Sequence, residues 1–456
     1  MTERRKLVRN AVSAVGAVLT TVSAVLFLTF FFLDLLGLHG NPYLGIFFFM
    51  ILPGVFLLGL ALIPIGLWIE HRRRLAGLPP SDWRWPSVDL NNDAHRRATA
   101  IVGLLTIANI AIVSLAAYRG VEYMDSTEFC GEVCHTVMEP EYVSYLDGPH
   151  SRVRCVQCHI GPGAPWFVKA KVDGLRQVWA VTVGTYATPV PSPVHSLRPA
   201  RDTCEQCHWP EKFTGDLVRQ YRSFGNDEAN SEDVTVLRLH VGGGGEHFGG
   251  PSGIHWHTSA QNVVEYVATD EQRTVIPWVR LTDREGRVTE FFAEGVTEAD
   301  LAGHERRTMD CIDCHNRPTH RFAATPDRAV DLAIATGVVP GDLPYVRREA
   351  VAVLAASHGD RATAERAIAE HLSQFYAREY AELAAANDPR IAQAIAGTQR
   401  AFTHNVFPAM QVTWGTHQNH LGHTDFPGCF RCHTDEHRAA DGRTISADCS
   451  ICHSFD

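Results

Sequence analysis

Ten of the twelve cysteines fall into five C-x-x-C-H motifs: Cys155 and Cys158 before His159, Cys204 and Cys207 before His208, Cys311 and Cys314 before His315, Cys429 and Cys432 before His433, and Cys449 and Cys452 before His453. The remaining pair, Cys130 and Cys134 before His135, is the same motif with one extra residue. Two thiols at this spacing can add to the two vinyl groups of haem, and the next residue then lies under the iron as an axial ligand. C-x-x-C-H is the haem c attachment signature, and histidine is a standard iron ligand. Zinc sites and disulfides also use cysteine. Six tandem motifs that consume every cysteine favour haem over both. At the longer spacing, Cys130 and Cys134 can still share one face of a helical turn.

The motif histidines are His135, His159, His208, His315, His433 and His453. Each iron then needs a second ligand or keeps an open position. Fifteen further histidines follow the apolar N-terminal part of the chain. The expected distal ligands are His150, His195, His257, His320, His417 and His423, each near a motif or in a turn-rich stretch. His255 is an alternative to His257, and His420 to either of its neighbours. Met138, three residues after His135, is a further candidate, and such ligation raises the potential. His358 and His371 lie in an Ala-rich stretch and read as surface residues. Two histidine ligands per iron give a fast electron carrier. An open site would point to catalysis on a small molecule.

Three apolar runs precede the first motif, roughly residues 11–38, 43–69 and 98–118. Each reaches the ~20 residues that a helix needs to cross a bilayer. Gly40-Asn41-Pro42 is a turn between the first two. Arg4, Arg5, Lys6 and Arg9 precede the first run, and Arg72, Arg73, Arg74, Arg96 and Arg97 lie between the second and third. Both basic segments are expected to be cytoplasmic. Three crossings put everything after Tyr118 on the periplasmic side of the inner membrane, where haem c is attached. A cleaved signal peptide is the alternative for the first run, whose length favours a retained anchor.

The chain of 456 residues is too long for one core. Its net charge of -10 gives no support to nucleic-acid binding. The expected fold is a multihaem cytochrome c, mostly α and irregular around packed haems, with three N-terminal transmembrane helices and a small β-rich insertion. Its expected parts are a membrane anchor over residues 1–118, a trihaem region over 119–215, the β-rich insertion over 216–300, and a second trihaem region with a helical segment over 301–456. Strands are expected at Val234–Val241, Asn262–Ala268, Thr274–Leu281 and Val288–Phe292. The Gly242–Gly245 run lacks the strand and helix context of a phosphate loop. Residues 326–400 read as helical, with Ala364, Ala367, Ile368 and Leu372 at helical spacing.

The order of apolar helix, Cys130–His135, Met138, Gly148-Pro149-His150 and Cys155–His159 resembles the NapC/NirT/NrfH family of membrane-anchored quinol dehydrogenases. The likeness covers roughly residues 98–215. The segments Gly253–His257, Asp313–His320, Trp414–His417 and Phe426–His433 are similar to the larger inner-membrane hexahaem type of metal-respiring bacteria. The resemblance implies oxidation of menaquinol or ubiquinol at the outer membrane face, with a periplasmic cytochrome or reductase as acceptor. It implies a quinol site beside the first haem, with Met138 as that haem's ligand. It also implies a Lys and an acid after the second motif. Lys169 and Lys171 fall there; the acid position holds Gln177, with Asp173 nearby. Three apolar runs, the longer first motif and six motifs depart from the family's usual single span and four haems.

Quinol oxidation releases protons as well as electrons, so a proton acceptor must stand close by. Lys169, Lys171, Asp173, Glu139 and Glu141 are the candidates. The expected function is thus a quinol-oxidising, six-haem electron carrier in the bilayer, linking the membrane quinone pool to a periplasmic partner. A relay subunit without its own quinone site and a terminal multihaem reductase are the alternatives.

Overall fold

The computed structural model describes residues 10–35, 52–79, 89–133, 135–161, 163–193, 199–243, 252–259 and 261–455. The turn at Gly40–Pro42 and the basic residues Arg4–Arg9 lie outside the described residues. The chain divides into two compact units, residues 1–123 with 161–174, and residues 124–160 with 175–456.

The first unit is built on helices α1 (Ala11–Leu35), α2 (Leu52–Leu75) and α3 (Asp93–Met124). Small residues let the backbones of α1 and α2 approach. A Cβ on Gly16 would lie 2.7 Å from the Gly59 carbonyl oxygen, and one on Gly66 would lie 2.6 Å from the Ser13 backbone nitrogen. The Ser13 hydroxyl donates across the pair to the Ile63 carbonyl at 3.0 Å. Close contact of small residues with a polar link is how helices associate where lipid supplies no hydrophobic drive. Among the described residues, Gly54–Leu75 is long and apolar enough to cross a membrane, and Ala11–Leu26 is a shorter apolar helix.

In the second unit the motifs sit in short helical turns. These include α5 (Cys155–His159), α7 (Ala200–Cys204) and α8 (Cys311–Cys314), and 3-10 turns at Gly428–Arg431 and Cys449–Ile451. Helix α4 (His135–Leu146) follows the first motif, and α6 (Ala164–Val183) follows the second. One helical turn brings residues three apart onto one side, as two thioether bonds to one ring require.

Two antiparallel sheets are built from segments that follow the third motif. The first has the order β1 (Leu217–Phe224), β2 (Glu232–Leu239), β8 (His453–Phe455). The second has the order β6 (Arg306–Thr308), β3 (Val263–Val267), β4 (Trp278–Thr282), β5 (Val288–Phe292), β7 (Arg438–Ala439). Neither sheet is closed within residues 216–300, because β6, β7 and β8 come from later segments. Strand β4 starts later than the β-branched run from Thr274 suggests. The Asp270 carboxylate accepts from the backbone N–H groups of Thr274 and Val275, at 2.8 and 2.7 Å, and holds that stretch in a turn. Tyr266, Val267 and Trp278 are almost wholly buried.

The Ala-rich stretch forms α9 (Pro326–Ala335), α10 (Val346–Ala355), α11 (Arg361–Glu379), α12 (Ala381–Ala385) and α13 (Pro389–Thr403). Thr325, Asp360 and Asp388 cap α9, α11 and α13 by accepting from backbone N–H groups of the first turn. Val330, Leu343, Leu354, Ile368, Leu372 and Phe402 form their common core. Arg347 is buried at its edge, bonded to Asp331 at 2.7 Å, Asp327 at 3.0 Å and the Asn226 amide oxygen at 2.7 Å. His358 and His371 differ from the surface reading. Both are half-buried, one bonded to the Val353 carbonyl at 2.8 Å and the other to Glu349 at 2.9 Å. Short Ala-rich helices leave enough space between them for such rings.

Candidate haem sites

Five motif histidines each face a histidine from outside the motifs. His159 faces His320 with ring centroids 6.2 Å apart, and His208 faces His150 at 6.1 Å. His315 faces His255 at 6.3 Å, His433 faces His257 at 5.7 Å, and His453 faces His423 at 6.2 Å. Metal–imidazole bonds of about 2 Å on both sides of one ion place two ring centroids about 6 Å apart. The spacing is too wide for ring stacking contact and suits an iron between the rings.

The hydrogen bonds agree with that use. His255 Nδ1 donates to the Val241 carbonyl at 3.1 Å, and His257 Nδ1 to the Ile254 carbonyl at 2.8 Å. His320 Nδ1 donates to the Glu141 carbonyl and His433 Nδ1 to the Ser446 carbonyl, both at 2.8 Å. A proton held on Nδ1 leaves Nε2 with its lone pair, which is the atom that binds a metal. Burial also pushes the pKa values of His159, His255, His257 and His315 below the ordinary imidazole value. These rings are therefore neutral at neutral pH, the form that ligates. The donor set fits haem iron.

His255 and His257 both stand in the 3-10 turn Ile254–Thr258, each opposite a different motif. Sequence reasoning offered them as alternatives. At three residues per turn, side chains two apart point to different sides, so one short turn serves two motifs. His417 is buried against Phe322, with ring centroids 5.2 Å apart. No described motif ring faces it. His420 is also buried, with Nδ1 on the Asp313 carbonyl at 3.2 Å. Met138 is half-buried on α4. His195, Cys134 and the His135 side chain lie outside the described residues.

The thiols give an order that spacing along the chain could not. Cys155 and Cys130 are hydrogen-bonded, which holds Cys155 down at about 7. Burial raises Cys158, with help from Cys204 and Cys207, and Cys204 is bonded in turn to Cys311. Burial pushes Cys314 up to about 11, with help from Cys429, and pushes Cys452 up in the same way, again with help from Cys429. Successive motifs are thus neighbours, from the first to the sixth.

Cys207 stands just beyond α7, which ends at Cys204. The Cys204 carbonyl accepts from the Cys207 N–H at 3.1 Å and from the His208 N–H at 2.8 Å. The third motif is therefore wound as a turn that continues from the helix, and the fifth is wound in the same way, with the Cys429 carbonyl accepting from the Cys432 and His433 N–H groups. The turn after α7 holds Cys204, Cys207 and His208 together, so the third motif keeps its attachment set.

Among the quinol-site candidates, Lys169 lies over the Trp166 ring at 5.1 Å, and Lys171 and Asp173 are half-buried on α6. Glu139 and Glu141 are committed elsewhere. Glu139 pairs with Arg361 at 3.1 Å, and Glu141 with His320 at 3.2 Å and Arg317 at 3.7 Å.

The sequence of residues 93–192 matches the model of the NapC/NirT cytochrome c family, N-terminal region. The chain is 40% identical over 450 residues to the cytochrome c-type protein ImcH of Geobacter sulfurreducens, covering 98% of this chain and 88% of that protein. It is 31% identical over 86 residues to the cytochrome c-type protein TorC of Escherichia coli, covering 18% of this chain and 21% of TorC. It is 24% identical over 169 residues to the denitrification system component NirT of Stutzerimonas stutzeri, covering 32% of this chain and 84% of NirT. No solved structure matches.

Proposed function

Because the chain belongs to the NapC/NirT cytochrome c family and so carries covalently bound haem c, we propose that it oxidises quinol at the inner membrane and passes electrons through six haems to a periplasmic acceptor. The facing histidine pairs are the observation that carries this reading. Five closed histidine pairs favour electron transfer over chemistry at an open iron, which makes a terminal reductase the weaker reading.

In this reading the two motif cysteines and the motif histidine would hold each haem. His320, His150, His255, His257 and His423 would complete the sets for motifs two to six, and Met138 or His417 that for the first. Bound haem supplies the one-electron chemistry. The chain's own residues fix the positions. Backbone carbonyls hold the imidazole protons on Nδ1, and the fold brings successive motifs close to one another. Electrons enter at the first motif and leave near the last two.

The three apolar helices cross the bilayer, with the basic segments in the cytoplasm and the motifs in the periplasm. The quinol site lies at the outer membrane face. Lys169, Lys171 and Asp173 bind the quinol and accept its protons. Gln177, where the family has an acid, keeps the relay reading alive.

Stopped-flow reduction with a menaquinol analogue tests the proposal on the detergent-solubilised protein. The expected result is rapid haem reduction that is lost in Lys169→Ala or Lys171→Ala. Haems that dithionite reduces but quinol does not would exclude quinol oxidation by this chain alone and favour the relay.

A further inference from the structure

The residues between the two cysteines of motifs four and five make a buried charge arrangement. In Cys311-Ile312-Asp313-Cys314, the Asp313 side chain is 1% exposed. Its carboxylate accepts from the Tyr266 hydroxyl at 2.5 Å, the Arg273 guanidinium at 3.2 Å and the Asp310 backbone N–H at 2.7 Å. In Cys429-Phe430-Arg431-Cys432, Arg431 is buried as well. Its guanidinium donates to three backbone carbonyls: Gly428 at 2.8 Å, Arg273 at 2.9 Å and Asp313 at 2.7 Å.

The two motifs are therefore bolted together through their own intervening residues. The charges do not cancel. Arg273 neutralises Asp313, while among the described residues Arg431 has only carbonyl partners and no carboxylate within ion-pair distance. A buried cation is felt strongly because little solvent screens it. Arg431 stands between the cysteines of motif five and reaches the backbone of motif four through the Asp313 carbonyl, so its charge lies close to both.

We propose that Arg431 is a positioning residue that sets potentials, its unbalanced positive charge raising the reduction potentials of the haems at motifs four and five above those of their neighbours. The direction follows from electrostatics. Reduction removes one positive charge from the iron, so a fixed cation nearby favours the reduced form. Two adjacent sites then hold electrons in the middle of the chain. This inference rests on the reading that both motifs carry haem.

The test is spectropotentiometric titration of the purified full-length protein with its haems, at one pH, for wild type, Arg431→Gln and Arg431→Lys. Haem is counted per chain in each. The expected result is a fall of about tenfold in the reduction equilibrium of one or two haems in Arg431→Gln, which is ~59 mV for one electron. Arg431→Lys, which keeps the charge but not the three-carbonyl fork, should shift less than a third as far. Equal shifts in both variants would mean that packing sets the potential and would overturn the proposal, as would unchanged midpoints at full haem content. If Arg431→Gln does not accumulate, Asp313→Asn decides. Removing that negative charge should raise a midpoint, and a fall or no change overturns the proposal. Wild-type protein lacking haem at motif four or five would instead defeat the six-haem reading beneath it.

Discussion

Replacing His320 by leucine gives the sharpest test of the ligand pairing. His320 stands 6.2 Å from His159, with its Nδ1 proton on the Glu141 carbonyl. Leucine fills similar space and offers no lone pair, and no other described imidazole faces His159. One iron should therefore lose its distal ligand and turn high-spin. With six motifs in the chain, about one sixth of the ferric haem should move from the low-spin to the high-spin EPR signal. The lost hydrogen bond should cost only about 1 kcal/mol, so the fold and the haem count should survive. His358→Ala is the control. Its ring packs on Phe402, away from any motif, and its spectrum should stay low-spin. The same logic separates His255 from His257: each single leucine variant should free one iron and the double variant two. A fully low-spin His320→Leu protein with six haems would refute the pairing.

Arg347→Met should destabilise the helical module by about 3–5 kcal/mol, because it strands the Asp331 carboxylate without its buried partner; denaturant unfolding followed at the helical signal measures this. His420 carries a pH signature. Burial, with Arg431 beside it, holds its pKa down at about 4, while the unfolded value is ~6.5. The unfolded chain binds more protons between those values, so stability is full above pH 6.5 and falls as pH drops toward 4. His420→Gln should show a shallower acid slope across that window in thermal melts. Gly66→Leu should separate α1 from α2, since even a Cβ would lie 2.5 Å from Asn10 Oδ1 and 2.6 Å from the Ser13 backbone nitrogen. Cross-linking between cysteines introduced on the two helices should then fall sharply.

What could be read from the sequence was local chemistry. Two thiols and a histidine in a row announce their cofactor whatever surrounds them. Four of the six expected distal histidines face motif rings, because short loops leave few places for a ring near a motif. What could not be read was pairing across the chain. His320 meets His159 and His255 meets His315 only because sheets and turns carry them there. The double use of the Ile254–Thr258 turn was hidden because one side chain per turn is the usual expectation. Nor did the late start of β4 show in composition: Thr274 and Val275 are good strand residues, and only the Asp270 side chain diverts them. The contacts that Asp313 and Arg431 make with Tyr266 and Arg273 were equally out of reach, since no spacing rule connects those segments.

The closing of both sheets by late strands constrains how the molecule is made. Strand β2 waits for His453–Phe455, and β5 waits for Arg438–Ala439. Until those segments are made, two sheet edges stand open, and pairing across such long stretches is slow. Open edges are where chains stick to one another. A chain cut short before these segments should therefore associate with other copies more readily than the full chain does, which sedimentation of a truncated variant would measure.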